Sequence, residues 1–299
     1  MSESRSPKAV SLEIFRHLFT ALCEEMGATL KRASFSPNIK ERRDYSCALF
    51  DSSGAAVSLG DHMPVHLGAM PMSVEAALAE IGKLAPGDVV CLNDPFSGGT
   101  HLPDITLISA VHEERGKLLG YVASRAHHSD VGGSTPGSMP LAREIFEEGI
   151  RIPPVRLYEA GQLNTSLWKT LLANVRTPVE RAGDLDAQVA ALHTGSKRLC
   201  EIAQRKGIEE TLTAMEQLIE YADRLVEVGL NIVPDGCYQA EDWIEDDGFG
   251  SGPIPIRVSL NIEGARLTVD FEGTSPQVPG GVNAVAAITS SATRYVVRC

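Results

Sequence analysis

The sequence predicts a mixed α+β fold: a β-rich N-terminal lobe over residues 1–160, a helical segment over 161–235 and a β-rich segment over 236–299. Three observations carry this. Short apolar runs bounded by Gly, Pro, Asn and Asp dominate the first half. A long charged stretch with helical periodicity fills the middle. Alternating segments with polar turns return towards the end.

In order, Leu12, Phe15, Leu18, Phe19, Leu22 and Met26 recur at helical spacing within 11–34, with Ser11 as N-cap and basic residues in the last turn. "DYSCALFDSSGAAVSLG" (44–60) reads as two short strands around an Asp51–Gly54 turn. "MPVHLGAMPMSVEAALAEIGKL" starts as a loop and turns helical near Met72, and Pro86-Gly87 breaks it. "DVVCLND" (88–94) is a buried strand, and "DITLISAVHEERGKLLGYVASRA" is a hairpin turning near Arg115-Gly116. "HHSDVGGSTPGSMP" is too rich in Gly, Pro and Ser for an element interior. A short helical turn and a Pro-Pro extended segment occupy 141–160. Helix follows over 161–194, interrupted at Pro178, and again over 195–230, broken near Gly207 and ended by Val233–Gly236. "CYQAEDWIEDDG" and "IPIRVSLNIEGARLTVDFEG" read as antiparallel strands. The last stretch, "ITSSATRYVVRC", is apolar-rich and reads as the interior of a longer protein whose N-terminal part this is.

The composition is that of a soluble globular protein, 43% hydrophobic and 22% charged over 299 residues. No run of eighteen apolar residues spans a membrane, and "MSESRSPKAV" has no apolar stretch of a secretory signal. A formal charge of −12 argues against nucleic acid. The six cysteines, at 23, 47, 91, 200, 237 and 299, form no CxxC pair and read as reduced thiols of a cytoplasmic protein.

The functional signal is a clustering. His62, His66, His101, His112, His127 and His128 fall within residues 62–128, with Asp44, Asp61, Asp94, Asp104 and Asp130 in the same region. His17 and His193 lie on helices and are incidental. In "CLNDPFSGGTHLPDIT" (91–106), Gly98-Gly99 delivers His101 and Asp104 between two strands. His127, His128 and Asp130 follow the next strand. If these strands pair, their ends meet, and imidazoles and carboxylates converge in a mixed N/O set suited to Zn, Mn or Fe(II). The other reading is polar turn residues bonded to backbone. "KERRDYSCALFD" allows the same two readings: a solvated basic turn, or Asp44 turned inward as a ligand. His62 and His66 either pack their loop or touch substrate and move a proton. The glycine-rich stretches lack the Lys and Ser/Thr of a nucleotide loop, and Cys47 and Cys91 lie in apolar strands as buried thiols.

"RRDYSCALFD", "GDHMPVHLGAMP", "GDVVCLNDPFSGGTHLPDITLISAVH" and "ASRAHHSDVGGSTPGSMP", extended by "EIFEEGIRIPPVRLY" and "VPGGVNA", resemble the hydantoinase B/oxoprolinase family along essentially the whole chain. The resemblance implies a metal-bearing subunit of an ATP-dependent hydrolase acting on a small cyclic amide or imide of the hydantoin or 5-oxoproline type. A hydantoinase A-type partner handles ATP and phosphorylates the substrate carbonyl, giving a hetero-oligomer. It also implies one alternative, the related subunit of an acetone or acetophenone carboxylase; a reading of another class is a non-catalytic interaction subunit with a structural metal. Carried over residue by residue, the ligands are Asp44, His101, Asp104 and His127, with His128 in place of His127 as the alternative, since neighbours on an extended segment point oppositely. Asp130 would orient an imidazole, and His62 and His66 would contact substrate or transfer a proton.

Overall fold

The computed structural model describes residues 9–60 and 62–299. The N-terminal "MSESRSPK" and Asp61 lie outside the described residues. The elements run α1 (Ala9–Ala33), α2 (Pro37–Lys40), β1 (Tyr45–Phe50), β2 (Ala56–Leu59), α3 (His66–Ile81), β3 (Val89–Leu92), a 3-10 turn (Pro95–Ser97), β4 (Asp104–His112), β5 (Leu118–His127), α4 (Ile145–Glu148), β6 (Val155–Glu159), β7 (Gln162–Leu163), α5 (Thr165–Ala173), α6 (Pro178–Lys206), α7 (Ile208–Leu230), β8 (Gly236–Ile244), β9 (Ile254–Glu263), β10 (Arg266–Asp270) and α8 (Ala286–Arg298). The mixed α+β class is therefore observed.

Strands β1 to β7 form one antiparallel sheet in the order β2-β1-β5-β4-β3-β6-β7. Successive side chains on a strand face opposite ways, and in the central strands β1, β3, β4 and β5 both faces are covered. Tyr45, Cys47 and Leu49 of β1 join a core built with Phe15, Phe19, Leu22 and Met26 of α1 and Leu185, Leu192 and Leu199 of α6. Ala48 and Phe50 join the opposite core with Met70, Val74 and Ala77 of α3. This explains why the strands read as unbroken apolar runs: neither face meets water. The helices of 161–235 share the first core with the lobe of 1–160. A second sheet, β10-β9-β8, is antiparallel and largely exposed. Among the described residues no helix is long and apolar enough to cross a membrane.

Three helix boundaries differ from the sequence reading. Ser11 lies inside α1, not at its cap, and its hydroxyl reaches Glu210 Oε1 at 3.3 Å. Pro178 opens α6 as its first residue, where the missing N–H costs nothing, and so starts a helix instead of interrupting one. Helix α3 begins at His66 and contains Pro71. Its cap residue Val65 has no capping side chain; instead Ser291 Oγ of α8 accepts the N–H groups of Gly68 and Ala69 at 3.0 and 3.1 Å. The orphan amides of the first turn are thus satisfied from a segment more than 200 residues away.

Candidate metal centre

The site is built at one end of the first sheet. β4 and β5 pair with Asp104 opposite His127, and β5 pairs with β1 so that the His127 N–H donates to the Asp44 carbonyl at 3.0 Å. Three chain segments, ending in Asp44, Asp104 and His127, therefore converge. His101 joins them from the turn before β4, where the Asp104 N–H donates to its carbonyl at 3.1 Å.

That turn is held from below. Gly98 has φ 81°, and its carbonyl accepts from Ser73 Oγ at 2.8 Å and Arg125 Nη2 at 3.2 Å. Arg125 is wholly buried, also donating to Thr106 Oγ1 and Ser73 Oγ at 2.8 and 2.7 Å. Burial outweighs the pull of Asp104 and pushes its guanidinium down to about 10. Asn93 and Asp94 shape the start of the same loop: the Asn93 carboxamide donates to the Leu102 and Ile150 carbonyls at 2.7 and 2.9 Å, and Asp94 accepts from Phe96 N at 3.0 Å.

One nitrogen or oxygen atom from each of His101, Asp104 and His127 lies within 4.8 Å of the others. His101 Nε2 is 3.4 Å from Asp104 Oδ2. Asp104 is 2% exposed, yet its Oδ1 has no hydrogen-bond partner. A buried anionic oxygen without a donor costs about 1–3 kcal/mol or more, and a cation on it removes that cost. The donor set and the orphan oxygen fit a divalent ion.

The electrostatics agree. Burial alone would raise the Asp104 carboxyl, but His66 and His101 outweigh it and hold it well below the ordinary carboxylate range. Burial pushes His101 down, while its bond to Asp104 and that residue's charge reverse the sign and leave it raised. His127 stays lowered, burial being the main cause, with His101 adding to it against the pull of Asp104. His127 Nδ1 lies 3.1 Å from the Asn38 carboxamide. The carboxamide nitrogen, Nδ2, faces that ring nitrogen and donates to it, which fixes the orientation of the ring. Asp44 lines the same cavity within electrostatic reach of His101 and His127.

The remaining candidates are placed as follows. His66 is 1% exposed, with Nε2 at 3.4 Å from Asp104 Oδ2 and Nδ1 at 2.8 Å from Ser46 Oγ. His128 turns to the other side of the strand, buried, with Nε2 at 2.9 Å from Gln188 Oε1; burial lowers it to about 4. It is not brought to the cluster. Neither is Asp130, which accepts from Gly132 N and from the backbone and guanidinium of Arg176 and so ties a loop down without touching an imidazole. His62 packs against the Tyr45 ring at 4.8 Å, takes the Cys47 N–H on Nδ1 at 3.4 Å and lies 3.8 Å from Glu24, between α1 and β1. His112 sits at the far end of β4.

A cavity of about 630 Å³ opens over the cluster. Its other walls mix apolar side chains, with Met63, Val65, Phe96, Ile145, Val285 and Ile288, and polar ones, with Ser138, Arg143, Glu144, Gln277 and Asn283. Glu148 lines it too, half-buried, its carboxyl raised by burial against the opposing pull of His101. Sequence reasoning assigned no role to Arg125, Ser46 or Glu148. Glu148 stands beside Glu144 and Glu147, and nothing in the sequence separates the three.

The chain matches the Hydantoinase B/oxoprolinase family model over residues 8–299. It is 38% identical over 307 residues to the 5-oxoprolinase of Saccharomyces cerevisiae, covering 97% of this chain and 24% of that protein. It is 34% identical over 266 residues to a Pseudomonas protein named as the putative B-type subunit of a D-/L-hydantoinase, covering 85% and 45%. The crystal structure of an ATP-dependent caprolactamase from Pseudomonas jessenii superposes with a TM-score of 0.91 at 32% identity, covering 97% of this chain and 50% of that one. The chain spans about half or less of the length of the curated relatives it matches. With the family model matched along nearly the whole chain, and relatives above 30% identity covering nearly all of it, the chain belongs to the hydantoinase B/oxoprolinase family.

Proposed function

We propose that this chain is the metal-bearing part of an ATP-dependent amidohydrolase that opens a cyclic amide or imide of the hydantoin or 5-oxoproline type. The observation that carries the reading is the convergence of His101, Asp104 and His127, with a donor-less buried Asp104 oxygen, on the wall of a cavity of about 630 Å³. Asp44, His101, Asp104 and His127 would hold a Zn, Mn or Fe ion. When bound, such an ion supplies Lewis acidity and makes water a competent nucleophile near neutral pH.

The chain's own residues supply the rest. The apolar walls take the carbon skeleton of the ring and exclude bulk water. As the C–N bond breaks, its electron pair goes to nitrogen, which needs a proton. Glu148, whose carboxyl burial raises, is assigned to give that proton and to recover one derived from the attacking water. An amide is a poor electrophile, so the carbonyl oxygen is first phosphorylated with ATP by a hydantoinase A-type partner; C–N cleavage then leaves the phosphoryl group on the new carboxyl, a second water releases it as inorganic phosphate, and the assembly is a cytoplasmic hetero-oligomer. The naming of the Pseudomonas relative as one of a hydantoinase's subunits supports the partner. The ATP dependence in the caprolactamase's name supports the nucleotide. Hydrolysis is favoured over ketone carboxylation because the matches above 30% identity named above carry oxoprolinase, hydantoinase and caprolactamase names.

The test is elemental analysis of the purified protein beside its His101→Ala variant, with circular dichroism to monitor the fold. Near-stoichiometric metal that disappears in a folded variant is expected. Metal retained by the variant overturns the assignment. The reaction is then tested by ATP-dependent ring opening of hydantoin and 5-oxoproline with the partner present.

A further inference from the structure

The two oxygens of Asp104 are treated differently. Oδ2 accepts from Thr100 Oγ1 and has His66 Nε2 and His101 Nε2 each at 3.4 Å. Oδ1 is equally shut off from water and has no partner. A carboxylate that could rotate would present either oxygen to an ion; this one is held by a single edge.

His66 does part of that holding, and its own orientation is set on the opposite side of the ring. Its Nδ1 lies 2.8 Å from Ser46 Oγ. Ser46, on β1, is 2% exposed, and His66 is 1% exposed, so neither group has water as an alternative partner. The ring has two tautomers. With the proton on Nδ1, the Nε2 lone pair would face an anionic oxygen, which is repulsive. With the proton on Nε2, the ring donates to Asp104 and the Ser46 hydroxyl donates to Nδ1, so both ring nitrogens are satisfied. In that state no lone pair of His66 is left for an ion, although the residue lines the cavity.

We infer that Ser46, His66 and Thr100 form a clamp on Asp104 Oδ2 that aims Oδ1 at the metal. The assignment rests on the metal reading above and deepens it: these three are positioning residues, neither ligands nor substrate contacts. The clamp also draws on distant structure. His66 is the first residue of α3, whose first-turn amides are bonded by Ser291 of α8. The stiffness of the α3 start is therefore supplied by the C-terminal helix. Partners that orient a metal ligand in this way commonly account for about 10–100-fold in metal affinity.

The test is a Zn²⁺ affinity measured by competition with a chromogenic chelator, on the purified protein with no substrate and no ATP. His66→Ala and Thr100→Val are expected to bind about 10–100-fold more weakly than the native chain. His66→Gln, whose amide N–H stands where Nε2–H was, and Thr100→Ser are expected to return to within about threefold of native affinity, a recovery that loss of packing alone would not produce. His101→Ala serves as the reference. If His101→Ala abolishes binding while His66→Ala and Thr100→Val bind as the native chain does, the clamp is refuted and the metal site stands. If His101→Ala binds normally, the metal reading falls and takes the clamp with it. Should His66→Ala fail to fold, Thr100→Val, which keeps the side-chain volume, decides the question.

Discussion

Replacing Gly98 by Ala tests how the His101 turn is built. Gly98 has φ 81°, and an added Cβ would lie 2.4 Å from the Met72 carbonyl carbon and the Ser73 nitrogen. Both are backbone atoms of α3, so no side chain can swing away. The left-handed conformation itself costs an alanine about 1–2 kcal/mol. Relief of the clash requires the turn to lift off α3, which breaks the bond from Arg125 to the Gly98 carbonyl. A hydrogen bond to a charged group contributes about 1.5–3 kcal/mol. The combined loss is about 2.5–5 kcal/mol. Gly116 provides the control: its φ is 89°, and a Cβ there meets nothing within 4 Å. Gly116→Ala should lose only the conformational part, about 1–2 kcal/mol. Urea unfolding of the two variants beside the native chain measures both values. Because Gly98 lies three residues before His101, Zn²⁺ affinity should fall in the first variant and not in the second. Equal destabilisation by the two substitutions would refute the argument that the turn is pinned against α3.

Asp88 accepts from Ala160 N, Ala85 N and Arg156 Nε at 2.8, 3.0 and 3.2 Å. Burial alone would raise its carboxyl, but those donors outweigh burial and lower it. Its contribution is therefore present above the unfolded carboxylate value of about 3.9 and lost as pH falls through the lower folded value. Asp88→Asn should be about 1–2 kcal/mol less stable at pH 7, with the gap closing below about pH 4; a gap unchanged at pH 3 would contradict this. Ser291→Ala should lose about 1–2 kcal/mol in urea unfolding, because two first-turn amides of α3 lose their acceptor; native stability would mean the amides find another. Cys23, Cys47 and Cys91 are fully buried, and burial pushes the thiols of Cys23 and Cys91 up to about 12. Ellman's reagent at pH 8 should react quickly with the exposed Cys237 and Cys299, slowly with the half-buried Cys200, and with the other three only on unfolding. A fast reaction of four or more native thiols would show that the sheet core is open.

Much of the site was legible because strand chemistry is local. The apolar run ending in Asn93-Asp94 and the hairpin around Arg115-Gly116 placed His101, Asp104 and His127 at strand ends from the sequence alone. Glycine at 98 marked a turn of special backbone conformation. What was not legible depends on groups far apart in the chain. The start of α3 was missed because its first-turn amides are satisfied by Ser291, far along the chain. Arg125 looked like one more residue of a hairpin strand, yet Thr106, Ser73 and the Gly98 carbonyl together hold its guanidinium. Asp130 was plausible as an imidazole's partner by proximity in sequence, but Arg176 claims it.

The sequence by itself determined which residue types could bind an ion and that they ride on strand termini. It determined too that His127 and His128 point in opposite directions, because alternation is a property of extended backbone. Which of the two faces the cavity was decided only by tertiary structure. Helix α6 covers one side of β5 and brings Gln188 to His128, whose ring it engages at 2.9 Å. Asp104 and His101 lie on the other side, so His127 is the one left facing them. The same holds for Asp104: its charge is written in the sequence, but the choice of oxygen comes from Thr100, His66 and Ser46, which meet only when α3 packs on the sheet.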